Sequence, residues 1–166
     1  MNGLPAKTIL LGILSDTHGL LRPQALNALR GVDHILHAGD VGDPAILDKL
    51  RGIAPVNAIR GNIDQHGPCA RLPATEVAEF AGHTLYMLHD RNALDLDPVA
   101  AGFSAVLSGH SHKPVIEWRG DVLYFNPGSA GPRRFSLPIS LGLLTIRSGP
   151  PGEKRQTALQ PKLIEL

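Results

Sequence analysis

The chain has 166 residues, 43% of them hydrophobic and 19% charged, a size and balance that suit one globular domain with its own core. A net charge of +1 excludes the basic excess of a general nucleic-acid or membrane-surface binder, and a single cysteine excludes a disulfide framework or a cysteine-based zinc site. Eight histidines remain, so a metal held here must be held by imidazole and carboxylate.

No apolar run approaches the ~18 residues of a membrane span. The leading Met1–Lys7 runs on into Thr8–Leu14 and then Ser15-Asp16-Thr17-His18 without a small-x-small cleavage site. We read it as the approach to a first strand in a cytoplasmic protein. Thr8–Leu14 is a continuous apolar run of the kind buried on both faces of a sheet. Pro23 to Arg30 has helical spacing with Pro near its start, and His34–Ala38 is a second strand ending at Gly39-Asp40. Asp43-Pro44 caps a helix through about Leu50, and Pro55–Arg60 is a third strand ending at Gly61-Asn62. These spacings suit right-handed parallel crossovers. Thr75–Phe80, His83–Leu88, Ala105–Leu107, Val115–Trp118, Val122–Phe125 and Ile139–Ile146 follow as strands, several joined by hairpin-length turns such as Ala81-Gly82, with a short helix expected over Asp95–Ala101. The fold class is therefore α/β, two packed mixed sheets flanked by helices. The expected organisation is a single domain over 1–166, with its core at about 8–146 and a polar surface arm after about 148.

Polar residues recur at the strand ends: Asp16-x-His18, Gly39-Asp40, Gly61-Asn62, His89 and Gly109-His110-Ser111-His112. Ligands of open α/β sheets collect beyond the carboxyl ends of the strands. Each piece alone reads as a turn or a surface residue; the ordered set, each after an apolar strand, points to metal chemistry.

That set, in that order, resembles the calcineurin-like metallophosphoesterase signature, and Asn126-Pro127-Gly128-Ser129 after it is similar to the small prokaryotic YfcE-type phosphodiesterase branch. The resemblance covers about residues 8–146 and implies a four-layer α/β/β/α sandwich. It also implies two divalent ions, manganese first, with nickel, iron, zinc or magnesium as alternatives. Carried over, Asp16, His18 and His112 hold one ion, Asn62, His89 and His110 the other, and Asp40 bridges them. Asp40, Asn62, His89, His110 and Asp64 form the catalytic set, and Asn62 and Arg133 contact substrate. Two carboxylates against two dications leave a net positive site for a phosphate anion, and an activated hydroxide would attack phosphorus in line. The expected partner is a small phosphoester rather than nucleic acid or membrane, and a homo-oligomer is compatible with the branch. Alternatives are a phosphomonoesterase or nuclease using the same ligands, or a non-catalytic protein-binding scaffold of the same fold.

Two positions depart from the family pattern. Ile63 stands where a histidine often assists the leaving group, and Asp90 stands where glycine commonly follows the ligand histidine. His66 could replace the missing acid but reads as an ordinary loop residue, and His37 reads as packing.

Overall fold

The computed structural model describes residues 5–166; residues 1–4, the start of the leading segment, lie outside them. Two five-stranded sheets form the frame. The first has the order β10-β9-β1-β2-β3 and the second β4-β5-β6-β8-β7. In the first, β1 (Thr8–Leu14), β2 (His34–His37) and β3 (Val56–Ala58) are parallel, joined by α1 (Pro23–Ala28) and α2 (Pro44–Arg51). The long β9 (Ser140–Arg147) returns antiparallel beside β1. In the second, β4 (Thr75–Phe80) and β5 (His83–Leu88) form a hairpin whose turn holds Ala81 and Gly82 at φ +50° and +82°. β5, β6 (Ala105–Leu107) and β8 (Val122–Asn126) are parallel, and β7 (Val115–Arg119) is antiparallel to β8.

Period-2 alternation sends one side of each central strand into the space between the sheets. Leu11, Ile13, Leu36, Leu144 and Ile146 meet Leu85, Met87, Leu107, Leu123 and Phe125 there. The other face of β1 and β2 presents Leu14 and Ile35 to Leu29 beside α1 and to Ile46, Leu47 and Leu50 of α2. Asp43 caps α2, its carboxylate accepting the Ala45 N–H at 2.9 Å.

Two expectations are corrected. The segment after residue 148 is not a surface arm. After a short α3 (Arg155–Ala158), residues Leu159–Glu165 form β10, antiparallel to β9 at the sheet edge. Ala158 and Leu159 enter the core between the sheets, and fully burying a leucine contributes about 2 kcal/mol. Pro161 and Lys162 disguise the strand in the sequence, yet proline is tolerated on an edge. Asp95–Ala101 runs as turns instead of a helix: Pro98 disfavours helical backbone at Asp97, whose carboxylate accepts the Val99 N–H at 2.9 Å. The outer face of the second sheet is therefore covered by turns carrying Leu94, Leu96 and Phe103. Among the described residues no helix is long and apolar enough to cross a membrane.

Candidate metal centre

Register brings the loops together. Leu14 lies opposite His37, so β1 and β2 end level and their loops continue pairing: Asp16 N–H donates to the Gly39 carbonyl at 3.0 Å and His18 N–H to the Asp40 carbonyl at 2.9 Å. Met87 and Phe125 both pair with Leu107, which levels the ends of β5, β6 and β8, and Gly109 N–H donates to the His89 carbonyl at 2.9 Å. The loops are tightly bent. Among the described residues, non-glycine positive φ occurs at Asp16 (+58°), His18 (+45°), Asp40 (+55°), His110 (+69°) and His112 (+59°), and otherwise at Ala81 and Phe135. Five left-handed residues at the converging ends are strain concentrated where function sits. Gly61 allows the third loop to close in, since a Cβ there would run into the Asp40 carboxylate.

Five side chains converge. The Asp16 side chain is fully buried, and its Oδ1 lies 3.5 Å from His112 Nε2 and 3.8 Å from the Nε2 atoms of both His18 and His89. Asp40 Oδ2 lies 3.4 Å from His18 Nε2 and 3.2 Å from His89 Nε2. Asp16, His18 and His112 thus form one group, and Asp16, Asp40 and His89 another, each with ligand atoms within 4.8 Å of one another. Asp16 Oδ1, His18 Nε2, His89 Nε2 and His112 Nδ1 are buried without a hydrogen-bond partner. Buried polar atoms ordinarily find partners; the orphans on Asp16, His18 and His89, which face one another, fit a divalent cation. Three neighbouring atoms of these side chains are already paired. Asp40 Oδ1 accepts the Ile63 N–H at 3.0 Å and Asp16 Oδ2 the His110 N–H at 3.1 Å. His89 Nδ1 sits 2.7 Å from the Ala38 carbonyl, which fixes a proton there and turns Nε2 toward the carboxylates.

The electrostatics agree. The Asp16 carboxylate, with Asp40, raises the His18 pKa against its burial. Burial pulls His89 down, but Asp40, the Ala38 carbonyl and Asp16 outweigh it and raise it. Burial alone would raise the Asp40 carboxyl; His89, the Ile63 N–H and His18 hold it below the ordinary range. Burial lowers His112, and Arg134 and His18 add to that effect. Two carboxylates thus draw positive charge onto His18 and His89, a demand that a cation meets with release of protons.

The other expected residues lie around this cluster. Asn62 and His110 stand beside it, joined to each other by Asn62 Oδ1 and His110 Nδ1 at 3.0 Å, with the His110 ring 5.2 Å from that of His89. Asp90 Oδ2 lies 3.8 Å from His110 Nε2. Asp64, expected in the catalytic set, belongs to neither group of converging ligand atoms, and its carboxylate is occupied by backbone donors. Its Oδ2 accepts the N–H groups of Val41 (3.0 Å) and Gly61 (2.9 Å) and its Oδ1 that of Gly42 (3.0 Å), so it positions the loops carrying Asp40 and Asn62. Asp64→Ala orphans all three donors. It is expected to lower stability by about 3 kcal/mol in urea denaturation and to lower kcat/KM roughly 10- to 100-fold by loosening Asp40. His66 is exposed.

A cleft of about 350 Å³ borders His18 and His112, with Arg133, Arg134 and Phe135 on its wall. Arg133, expected to touch substrate, has its guanidinium 3.5 Å from the Leu137 carbonyl and so spans the turn. A second cleft of about 560 Å³ borders Asn62, His89 and His110, with Arg60, Tyr86 and Leu88 among its lining. Sequence reasoning missed two supports. Asn126 Nδ2 donates to the Gly109 carbonyl (2.9 Å) and lies 3.1 Å from Ser111 Oγ, holding the loop of His110 and His112. Its place in Asn-Pro-Gly-Ser was the available signal. His37, treated as packing, links Thr17 Oγ1 (3.0 Å from Nε2) to the Gly39 N–H (3.2 Å from Nδ1), and no motif marks it.

Paired sheets with a buried carboxylate–imidazole cluster at the carboxyl ends of their parallel strands define a metal-site protein of the α/β sandwich class. Comparison with known proteins narrows the class. Residues 9–149 match the calcineurin-like phosphoesterase superfamily domain. A probable metallophosphoesterase of Methanocaldococcus jannaschii is 38% identical over 135 residues, 74% of this chain and 68% of that protein. The phosphodiesterase YfcE of Escherichia coli K12 is 31% identical over 156 residues, 78% of this chain and 84% of that protein. The solved structure of Escherichia coli YfcE superposes with TM-score 0.64 at 25% identity, covering 82% of this chain and 88% of that one. Vacuolar protein sorting 29 from Cryptosporidium parvum gives TM-score 0.73 at 16% identity, covering 96% and 99%, a likeness of fold. The chain belongs to the calcineurin-like phosphoesterase superfamily.

Proposed function

We propose that the protein is a cytoplasmic, dinuclear-metal phosphodiesterase acting on a small phosphoester, with manganese as the working metal. The observation that carries this reading is the set of buried, unpartnered atoms that face one another on Asp16, His18 and His89, with His112 Nε2 3.5 Å from Asp16 Oδ1. When bound, two divalent ions would supply Lewis acidity toward the phosphoryl oxygens and a hydroxide nucleophile for in-line attack. Asp16, His18 and His112 would hold one ion and Asn62, His89 and His110 the other. Asp40, whose Oδ2 reaches both His18 and His89, would bridge them. Imidazole and a neutral amide suit such ions better than calcium. Asn62 also lines the larger cleft, where it would contact the substrate phosphate.

Clefts on both sides of the centre favour a diester over a monoester, because each substituent of the phosphorus has a place to lie. Ile63 carries no transferable proton, so esters with good leaving groups are the favoured substrates. A scaffold role is disfavoured: five strained residues and four orphaned buried atoms are costs that a binding platform has no reason to keep.

Hydrolysis of bis(4-nitrophenyl) phosphate should appear with added Mn²⁺, vanish with chelator, and be lost in Asp40→Ala and His112→Ala. A metal-loaded wild-type protein that turns over no phosphoester overturns the reading.

A further inference from the structure

The turn after β8 carries two side chains that the metal centre does not use. Its base is fixed against the first metal loop. Ala130 N–H donates to the Ser15 carbonyl at 3.0 Å, and the Ser129 hydroxyl lies 3.1 Å from the carbonyls of both Asp16 and Pro132. Arg22 Nε donates to the Gly131 carbonyl at 3.1 Å. Any Cβ on Gly131 would collide with the Thr17 carbonyl, so glycine alone lets the segment lie this close. The Leu137 N–H closes the turn onto the Arg134 carbonyl at 3.1 Å, braced by Arg133 across to Leu137.

The tip is built differently. Phe135 is 88% exposed, more than any other large hydrophobic side chain among the described residues, and its φ is +53°. A bulky aromatic in the left-handed region is strained, and a ring held in water adds nothing to the core. Both features sit on the wall of the cleft that His18 and His112 border. Arg134 is on the same wall, and its charge is felt at both imidazoles.

We propose that Arg134 and Phe135 are the substrate-recognition pair of this site. Arg134 takes the phosphoryl oxygens, and Phe135 stacks on a planar ring, aryl or nucleobase, in the ester arm that does not leave. The inference rests on the phosphodiesterase reading and names its substrate class. A guanidinium fits phosphoryl oxygens with paired donors, and an exposed aromatic face accepts any flat ring.

The test keeps one leaving group and changes the other arm: phenyl 4-nitrophenyl phosphate against methyl 4-nitrophenyl phosphate, with Mn²⁺. Phe135→Ala should lower the phenyl-to-methyl ratio of kcat/KM about tenfold, mainly through KM, and comparing variants cancels the intrinsic reactivity of the esters. Phe135→Trp should retain the ratio. Phe135→Gly should lower it while raising the melting temperature, because the strain is relieved. Arg134→Ala should weaken both esters alike, with partial recovery in Arg134→Lys. Calorimetric titration of the Mn²⁺-loaded protein with phenylphosphonate and methylphosphonate reads the same preference without turnover. A protein that hydrolyses neither diester but binds phenylphosphonate through Phe135 therefore overturns only the phosphodiesterase reading. An unchanged ratio and an unchanged phosphonate preference in Phe135→Ala overturn the inference. So does a loss of oligomeric mass in that variant with the preference intact, which would make Phe135 an interface between copies of the chain.

Discussion

Asp16→Asn is expected to abolish stoichiometric ion uptake and to lower kcat/KM on an activated aryl diester by roughly 10³-fold or more, about 4 kcal/mol of transition-state stabilisation. The substitution removes one charge and almost nothing else. Asparagine has the same shape, tolerates left-handed backbone at φ +58°, and can still accept the His110 N–H. What disappears is the negative charge on Oδ1, the atom within 3.8 Å of three imidazole Nε2 atoms. That charge is the common member of both groups of ligand atoms. In chelator the variant should be at least as stable as the wild type, because a buried carboxylate oxygen without a donor is unfavourable. Calorimetric titration with Mn²⁺ and initial rates check the two halves. Metal uptake and activity within tenfold of wild type would remove Asp16 from the centre.

The second large effect is on acid stability and belongs to His37. Its imidazole is fully buried, and burial, ahead of the opposing pull of Asp16 and Asp64, depresses its pKa from 6.5 to about 4. The hydrogen bonds require the neutral form. Thr17 Oγ1 donates to the Val41 carbonyl and so accepts from His37 Nε2, while Nδ1 accepts the Gly39 N–H. A proton on Nδ1 would oppose one donor with another. Between pH 6.5 and about 4 the unfolded chain binds a proton at this residue that the folded chain refuses. Stability from this group is thus complete above pH 6.5, falls with pH through that window, and levels off below it. At about 1.4 kcal/mol per tenfold change in proton affinity, the loss comes to about 3 kcal/mol. Urea denaturation at pH 7 and pH 4 in chelator, for wild type and His37→Gln, measures it. The variant should show a shallower decline by that amount, and parallel declines would exclude His37 as the cause.

What was legible in the sequence follows from how strongly each segment is determined by its own residues. Thr8–Leu14, Thr75–Phe80, His83–Leu88 and Ala105–Leu107 are strands to the residue, since unbroken or alternating apolar runs flanked by glycine and polar residues leave few other conformations. β10 was hidden because Gln160-Pro161-Lys162 reads as loop, and only the edge position in the sheet makes proline acceptable there. The candidate ligand set was read from its order along the chain, and five of its members converge as buried or half-buried side chains that could hold a metal ion. The contacts of Asp64 and Arg133 were not, because a carboxylate's direction or a guanidinium's reach depends on loop backbone that no local pattern encodes. Asp64 looks like a participant in sequence and is a brace in space.

The converging loops come from different halves of the molecule. Asp16, His18, Asp40 and Asn62 follow strands of the first sheet, whereas His89, His110 and His112 follow strands of the second. Both carboxylates thus lie on one side of the interface and three of the four imidazoles on the other. A chain with either sheet formed alone presents half a chelate, so tight ion capture reports that the sandwich has closed. Once captured, an ion would act as a clasp at that end of the interface, slowing separation of the sheets and protecting the amides of β1 and β5 from exchange. The same cluster that favours phosphoester chemistry thereby links the availability of metal to the lifetime of the folded protein.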